Sequence, residues 1–315
     1  MYDTIIIGGG VTGLAAAMYG GRLNLETLML GASTSNEAPI GGVITLTEIV
    51  ENYPGFIRLT GPELAEKLEA HAKEYSEVVT LKSERALTIQ REVDGGYFTV
   101  TTDEEQTYQS KTLIIATGTK WKKLPMKGGA EFENRGVHYC ALCDGPLFKN
   151  KIVAVVGGSD SAAKEAIFLA EHASKVYIIY RGDQIHPEAP NARRIEKLAG
   201  RIEIINNTNI TEIKGEKVVS TVVLDKPYNG SSELALQAVF GAIGTLPLSD
   251  LAKTLGVETN PKGEIVLNHK DSSTNVPGVF AAGDVCDKGF KQAITGVAEG
   301  CTAAHSAFEY IAHLE

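Results

Sequence analysis

Apolar positions along the chain fall into short runs that alternate with glycine-rich turns and helix-spaced segments, a pattern that predicts an α/β chain. The run Tyr2–Ile7 is apolar and β-branched over residues 4–7, as in a strand buried on both faces. Gly8-Gly9-Gly10-Val11-Thr12-Gly13 follows, and residues 14–22, rich in alanine and other small residues, read as a helix lying close on a sheet. Thr27–Leu30 is the next predicted strand, and residues 31–42 form a loop of Gly, Ser, Asn and Pro. Over residues 62–75, Leu64, Leu68, His71 and Ala72 share one helical face, with Thr60 as N-cap and Pro62 and Glu63 in the first turn. Residues 80–89 and 97–102 alternate as strands, with a Gly95-Gly96 turn in the hairpin 94–97. Residues 112–116 read as a buried strand ending at Thr117-Gly118.

The same signal returns about 150 residues later. Ile152–Val156 is an apolar strand, Gly157-Gly158-Ser159-Asp160-Ser161-Ala162 is the turn, and residues 163–173 form the helix. Residues 175–180 predict the next strand, 202–206 and 217–224 are expected to continue the sheet, and 238–243 return to it, ending at Gly244. Near the end, residues 278–282 form a strand running into Gly283-Asp284, and Ala293–Ala312 is helical. Two strand–glycine turn–helix units predict an internal duplication in which each half is a nucleotide-binding domain.

With 315 residues, the chain has room for about two domains at roughly 150 residues each. At 43% hydrophobic and 22% charged residues, each can bury a core. The net charge of −9 comes without any basic stripe, which excludes nucleic acid as a partner. No apolar run approaches the ~18 residues that span a membrane. The N-terminus enters a strand-like run with no basic segment, apolar stretch and cleavage site, so a cytoplasmic protein is expected. Of four cysteines, Cys286 and Cys301 are solitary and read as ordinary buried thiols, whereas Cys140 and Cys143 form a Cys-x-x-Cys pair. In a cytoplasmic protein such a pair points to catalysis or to a metal. A structural zinc needs four ligands and the remaining cysteines are far off, so no metal is expected.

Gly8, Gly10 and Gly13 fit the spacing G-x-G-x-x-G between a strand and a helix. The first glycine permits a tight turn, the second lets backbone approach a pyrophosphate, and the third lets helix and strand pack closely, with phosphates at the helix N-terminus. The acidic residue that meets a ribose about 20 residues further on is absent. Leu30 and Gly31 stand there, which leaves the ribose to the loop 32–42 or to water. Asp284 is expected at the carboxyl edge of a parallel sheet, where it can bond a polyol such as the ribityl chain of FAD; a plain turn is the other reading of Gly283-Asp284. Cys140-Ala141-Leu142-Cys143-Asp144-Gly145 is the sharpest signal, because two cysteines at this spacing can close a reversible disulfide. The thiolate is the reacting form, so the site needs a lowered pKa or an acid–base partner, and Asp144 is placed to move a proton on and off one sulfur. Asp144-Gly145-Pro146 also fits a turn, and His138 is a candidate proton carrier, with a surface histidine the plainer reading.

Taken together, these residues resemble the low-molecular-weight thioredoxin reductase family over essentially the whole chain. The marks are the loop 8–13, Glu51-Asn52-Tyr53-Pro54-Gly55, Ala116-Thr117-Gly118, the segment 140–145, Gly283-Asp284-Val285 and Lys291-Gln292-Ala293-Ile294. The resemblance implies the class II fold of the pyridine nucleotide-disulfide oxidoreductases, with two Rossmann-like nucleotide-binding domains. A discontinuous FAD-binding domain would comprise residues 1–118 and 248–315, and an inserted pyridine-nucleotide-like domain, residues 119–247, would carry the cysteine pair. It implies FAD contacts at Gly8, Gly10, Gly13, Gly41, Gly42, Asn52, Thr117, Gly283, Asp284, Gln292 and Ala293, and a second nucleotide site at Gly157, Gly158, Ser161 and Arg181. It further implies that Cys143 faces the flavin, that Cys140 attacks the disulfide of a thioredoxin-like partner with Asp144 as acid–base, and that the protein is a homodimer. The inserted domain would rotate about hinges near Gly118-Thr119 and 244–247.

The second glycine loop departs from the family. Ser159 replaces the middle glycine, and a side chain there crowds a pyrophosphate. The family's basic cluster for the 2′-phosphate of NADPH runs His-Arg-Arg with a further arginine shortly after, whereas Tyr180-Arg181-Gly182-Asp183-Gln184-Ile185-His186 keeps one arginine. Charge-assisted contacts to phosphate are the strong ones, so poor use of NADPH is expected, with NADH, a reduced ferredoxin or a deazaflavin as other donors. Arg181, His186 and Arg193 or Arg194 are the groups that would still serve NADPH. Two further functions fit the fold: a ferredoxin- or flavodoxin-NADP-type flavin oxidoreductase, which has no use for the cysteine pair, and a non-catalytic FAD-binding redox sensor that signals through it.

Overall fold

The computed structural model describes residues 1–31, 40–47, 49–92 and 96–314. The chain divides into two compact units, Met1–Lys120 with Leu246–Glu315, and Trp121–Thr245.

In the first unit the strands Val79–Lys82, Thr27–Leu30, Tyr2–Ile7 and Thr107–Ile115 lie side by side and parallel. Thr107–Ile115 is used twice along its length. Residues 113–115 pair in parallel with Val279–Ala281, and residues 107–110 pair antiparallel with Phe98–Thr102, which in turn pairs with Ala86–Arg91. Burial follows this division, because the residues from Thr112 to Ile115 are buried without interruption whereas exposed positions recur before Ser110. Alternate side chains of the parallel strands go to opposite layers. Ile6, Met29, Ile114 and Phe280 pack against Leu14, Ala16 and Ala17 of the helix Val11–Arg22 and against Ala303, Ala304 and Ala307 of the helix Ala293–Ala312. Ile5, Ile7, Leu28, Leu30, Leu113 and Ile115 pack against the hairpin residues Ile89, Phe98 and Val100 and against Ile265.

The run 80–89 is therefore two strands, one in the parallel sheet and one in the hairpin. Between them Glu84 accepts hydrogen bonds from Lys82, Thr102 and Tyr108, and Arg85 exchanges bonds with Asp103, which turns the chain out of the parallel sheet. Residues 93–95 of the expected hairpin turn, and residues 32–39 of the expected ribose loop, lie outside the described residues.

The second unit holds five parallel strands in the order Ile202–Ile205, Lys175–Ile179, Ile152–Val156, Ala238–Gly241 and Val137–His138. Ala162, Ala163, Ala166, Leu169 and Ala170 of the helix Asp160–His172 pack on Val153, Val155, Val176, Ile178 and Phe240 of that sheet. Residues 217–224 do not continue it, contrary to the sequence pattern. Val219–Tyr228 pairs instead with Ile210–Gly215 and Ser231–Ala235 in a separate antiparallel sheet. Asn229 and Gly230, both at positive φ (48° and 83°), close its second hairpin.

The two units repeat one construction. Gly8 N–H donates to the Leu30 carbonyl and Gly157 N–H to that of Ile179; Ala116 N–H donates to Ile7 and Ala242 N–H to Val156. Likewise Gly41 N–H donates to the Gly9 carbonyl and His186 N–H to that of Gly158. In each unit the strand before the glycine turn lies between the second strand and a much later one, so the turn sits at the carboxyl edge where strand order reverses.

Candidate functional site

In the first unit the adjacent strand ends Ile7, Ile115 and Ala281 pair in register, so the residues that follow them meet at one edge of the sheet. Gly8 has φ 125°, and a Cβ on it would lie 2.2 Å from the Ala116 carbonyl oxygen, so only glycine fits. A Cβ on Gly13 would lie 1.8 Å from the Gly8 oxygen, which puts the helix start directly on the turn. Gly10 is different. It precedes the helix Val11–Arg22 with φ −76°, and a Cβ there would meet nothing nearer than Gly41 and Gly42 at 3.9 Å. The protein's own packing does not require glycine at 10, whereas close approach of a pyrophosphate to the backbone would. No side chain caps that terminus, so its first N–H groups have no side-chain acceptor.

Gly41 and Gly42, with φ 107° and 71°, fold against the same turn; a Cβ on Gly42 would stand 2.9 Å from Gly10 Cα. Thr117 follows the strand Thr107–Ile115 and its hydroxyl donates to the Leu248 carbonyl at 2.7 Å. Gly283 follows the strand Val279–Ala281, with its N–H donating to Glu299 at 2.8 Å. Thr12, which the sequence did not single out, nests between Gly283 and Gly296, where Cβ atoms would approach its Oγ1 to 2.7 and 2.5 Å. The Asp284 carboxylate lies 3.8 Å from Lys288, and burial raises it above the ordinary carboxylate value against the pull of Lys288 and Lys291. Asn52 donates to Gln292 at 3.0 Å, next to Ala293 at the start of the last helix. Gly31, where a ribose-binding acid is missing, lies so close to Gly9 that a Cβ would come within 2.8 Å of its Cα. A phosphate-bearing cofactor such as FAD fits this edge: an open glycine cradle, helix N–H groups without a side-chain acceptor and a half-exposed carboxylate at the neighbouring strand end.

In the second unit Gly157 repeats Gly8, with a Cβ 2.3 Å from the Ala242 oxygen. The rest of the turn does not repeat. Ser159 precedes the helix Asp160–His172, and the Tyr180 ring lies over Gly158, where a Cβ would come within 2.5 Å of Cδ2 and Cε2. The far edge of the same ring lies 2.5 Å from where a Cβ on Gly182 would stand. Although burial pushes the Asp160 carboxyl up, bonds from Asn191, Lys164 and the Glu188 N–H outweigh it and hold the group below its ordinary value. Ser161 and Arg181 are exposed, at the helix start and beyond the strand end.

Cys140 and Cys143 form a disulfide, with Cα atoms 5.4 Å apart. Cys140 precedes the short helix Ala141–Asp144, and its sulfur accepts the Cys143 N–H at 3.1 Å. Tyr139 anchors the pair from behind, its hydroxyl accepting the Leu124 N–H at 2.8 Å. His138 is not at the surface. It is 6% exposed, its imidazole stacks on Phe240 and meets the edge of Phe148, and Nδ1 lies 2.8 Å from Asp144 Oδ2. The plainer sequence reading failed because both phenyl rings come from elsewhere in the chain. Cys286 is buried, as expected, and its thiol is pushed far up by burial; Cys301, expected to be buried, is half-buried, and its thiol is pushed up to about 11. Among the described residues no group of three or more His, Cys, Asp or Glu could hold a metal ion, and no helix is long and apolar enough to cross a membrane.

Comparison with known proteins gives a consistent picture. Residues 2–300 match the family described as pyridine nucleotide-disulphide oxidoreductase. Thioredoxin reductase of Bacillus subtilis (strain 168) is 38% identical over 318 residues, spanning 100% of this chain and 96% of its own. The crystal structure of Lactococcus lactis thioredoxin reductase covers 99% of this chain and 100% of its own at 34% identity, with a TM-score of 0.91. That of T. acidophilum thioredoxin reductase covers 100% and 99% at 34% identity, with a TM-score of 0.88.

Proposed function

The chain belongs to the pyridine nucleotide-disulphide oxidoreductase family, and from that premise we propose that it is a flavin-dependent thioredoxin reductase. The observation that carries the reading is the Cys140–Cys143 disulfide, followed directly in the chain by Asp144, whose carboxylate is bonded to His138. FAD would be held by Gly8, Gly10, Gly13, Gly41, Gly42, Asn52, Thr117, Gly283, Asp284, Gln292 and Ala293, within an FAD-binding domain of residues 1–118 and 248–315. The inserted domain, residues 119–247, carries the dithiol. When bound by the residues of the FAD-binding domain, FAD would supply the electron pair that opens the disulfide.

The remaining chemistry belongs to the side chains. Once the pair is reduced, Cys140 as thiolate attacks one sulfur of the partner's disulfide and forms a mixed disulfide. Cys143 then attacks Cys140 Sγ, closes the internal disulfide and releases the partner as a dithiol. Asp144 takes the Cys143 proton and returns it to the departing partner thiolate. The first partner thiolate, released when the mixed disulfide forms, takes from solvent a proton equivalent to the one Cys140 gave up on becoming a thiolate, so in sum the dithiol loses two electrons and two protons and the partner disulfide gains both. The reading includes a homodimer in the cytoplasm, a compartment that keeps such pairs reducible.

NADPH is a poor donor in this proposal, and NADH, a reduced ferredoxin or a deazaflavin takes its place. Support comes from Ser159 in the turn, from Tyr180 covering Gly158, and from the single arginine, Arg181, at the strand end. A ferredoxin-NADP-type oxidoreductase is set aside because it leaves the disulfide without a role. The test supplies electrons from dithionite-reduced viologen and counts thiols formed on oxidised thioredoxin. Wild-type protein should turn over and Cys140→Ser should not; equal activity in both would overturn the proposal.

A further inference from the structure

We propose that His138 is a positioning residue for the dithiol–disulfide reaction: its Nδ1–H holds the Asp144 carboxylate in the orientation that serves the cysteine pair. The inference rests on the reductase reading above. A carboxylate only accepts hydrogen bonds, so at the 2.8 Å separation Nδ1 carries the hydrogen and Asp144 Oδ2 receives it. Asp144 needs such a partner. Its side chain is 32% exposed, on a helix of one turn that ends at Gly145, and nothing in that local structure fixes a short carboxylate that water can reach.

The imidazole, in contrast, is buried and held by two aromatic rings. His138 ends a short strand paired in register with Phe240 of Ala238–Gly241. Its ring stacks on Phe240 at 5.5 Å between centroids and meets Phe148 edge-on at 5.3 Å, while Phe148 and Phe240 touch each other at 5.8 Å. Phe148 lies just beyond Asp144 in the chain, so the same aromatic contact clamps the segment that follows the active turn. The result is a rigid donor, built on the parallel sheet, aimed at a carboxylate on a short, partly exposed turn. When Cys143 gives up its proton as it closes the disulfide, Asp144 Oδ1 is left free to take it while Oδ2 stays bonded to the ring. The proton then passes to the departing partner thiolate, and His138 neither gains nor loses one.

The test compares His138→Phe, which keeps an aromatic between Phe148 and Phe240 but has no donor, with His138→Asn, whose amide nitrogen can stand near the position of Nδ1. Both are measured as the full FAD-loaded chain, after a melting check. One readout is kcat and KM for oxidised thioredoxin with electrons from reduced viologen. The other is the pH profile of iodoacetamide alkylation of the reduced pair, which needs no partner. General acid–base groups contribute roughly 10²–10⁴-fold, so losing the orientation of one should lower kcat of His138→Phe about tenfold or more, with KM little changed and the alkylation profile displaced. His138→Asn should recover most of the rate and the wild-type profile. A His138→Phe variant with wild-type kcat and profile, or equal losses in both variants, would overturn the proposal. If wild-type protein reduces no thioredoxin, it is the reductase reading that fails, and the alkylation profiles alone then decide for or against the His138–Asp144 coupling.

Discussion

The ring of Tyr180 occupies the place where a side chain on Gly182 would begin, 2.5 Å from the would-be Cβ. An arginine at 182 would therefore require the Tyr180 ring to leave the position in which it covers Gly158, which ties the missing second arginine to the covered turn. Anaerobic addition of NADPH to the yellow protein is expected to bleach the flavin slowly. The double variant Tyr180→His with Gly182→Arg should bleach faster and at lower NADPH, by about tenfold for one charge-assisted contact regained. Gly182→Arg alone should gain less, because the ring still stands in the way. Rapid bleaching of the wild type by near-stoichiometric NADPH would contradict the donor proposal.

Gly10 and Gly13 should separate cofactor binding from folding. At Gly10 the backbone suits any residue and the protein leaves room for a methyl, so Gly10→Ala should fold normally yet lose FAD, read as a lowered flavin-to-protein absorbance ratio. At Gly13 the methyl would strike the Gly8 carbonyl oxygen at 1.8 Å. Gly13→Ala should cost about 1–3 kcal/mol of stability, seen as a lower melting temperature even without FAD.

Glu165 gives the fold a pH dependence. Its Oε2 is buried without a hydrogen-bond partner, and burial pushes the carboxyl from 4.5 up to about 8. Between those values the folded chain holds a proton that the unfolded chain releases. The contribution to stability is therefore full below 4.5 and is lost as pH rises towards 8. Glu165→Gln removes that loss. Melting curves should show little effect of the substitution near pH 4.5 and a stabilisation that grows up to pH 8 and then levels off. A gain that is equal at both ends would contradict a buried, proton-holding carboxyl.

The four cysteines should sort into two classes of reactivity. With the disulfide intact, iodoacetamide at pH 8 should label almost nothing, because burial raises both Cys286 and Cys301 out of the reactive range. After reduction, peptide mass analysis should find the label on Cys140 and Cys143 well before the other two.

Much of this was legible in the sequence, for a physical reason. A strand, a glycine turn and an alanine-rich helix are local features, and the close approach of Gly8 to Ala116 or of Gly157 to Ala242 leaves glycine as a visible trace. The Asn229-Gly230 turn is equally open to reading, yet the sheet that takes the strand before it is not, since alternation along 219–224 does not say which partner covers the buried face. What escaped entirely was set by distant partners. The burial of His138 depends on Phe240, the nesting of Thr12 on Gly283 and Gly296, and the posture of Tyr180 on Gly158.

A reductive titration of the purified protein with dithionite, followed by flavin absorbance and thiol count, bears most directly on the coupling of flavin and dithiol. Wild-type chain should take up one electron pair for the flavin and a second for the disulfide, exposing two new thiols, while Cys140→Ser takes up a single pair. Uptake of a single pair by the wild type, with the disulfide still closed after the flavin is bleached, would contradict it.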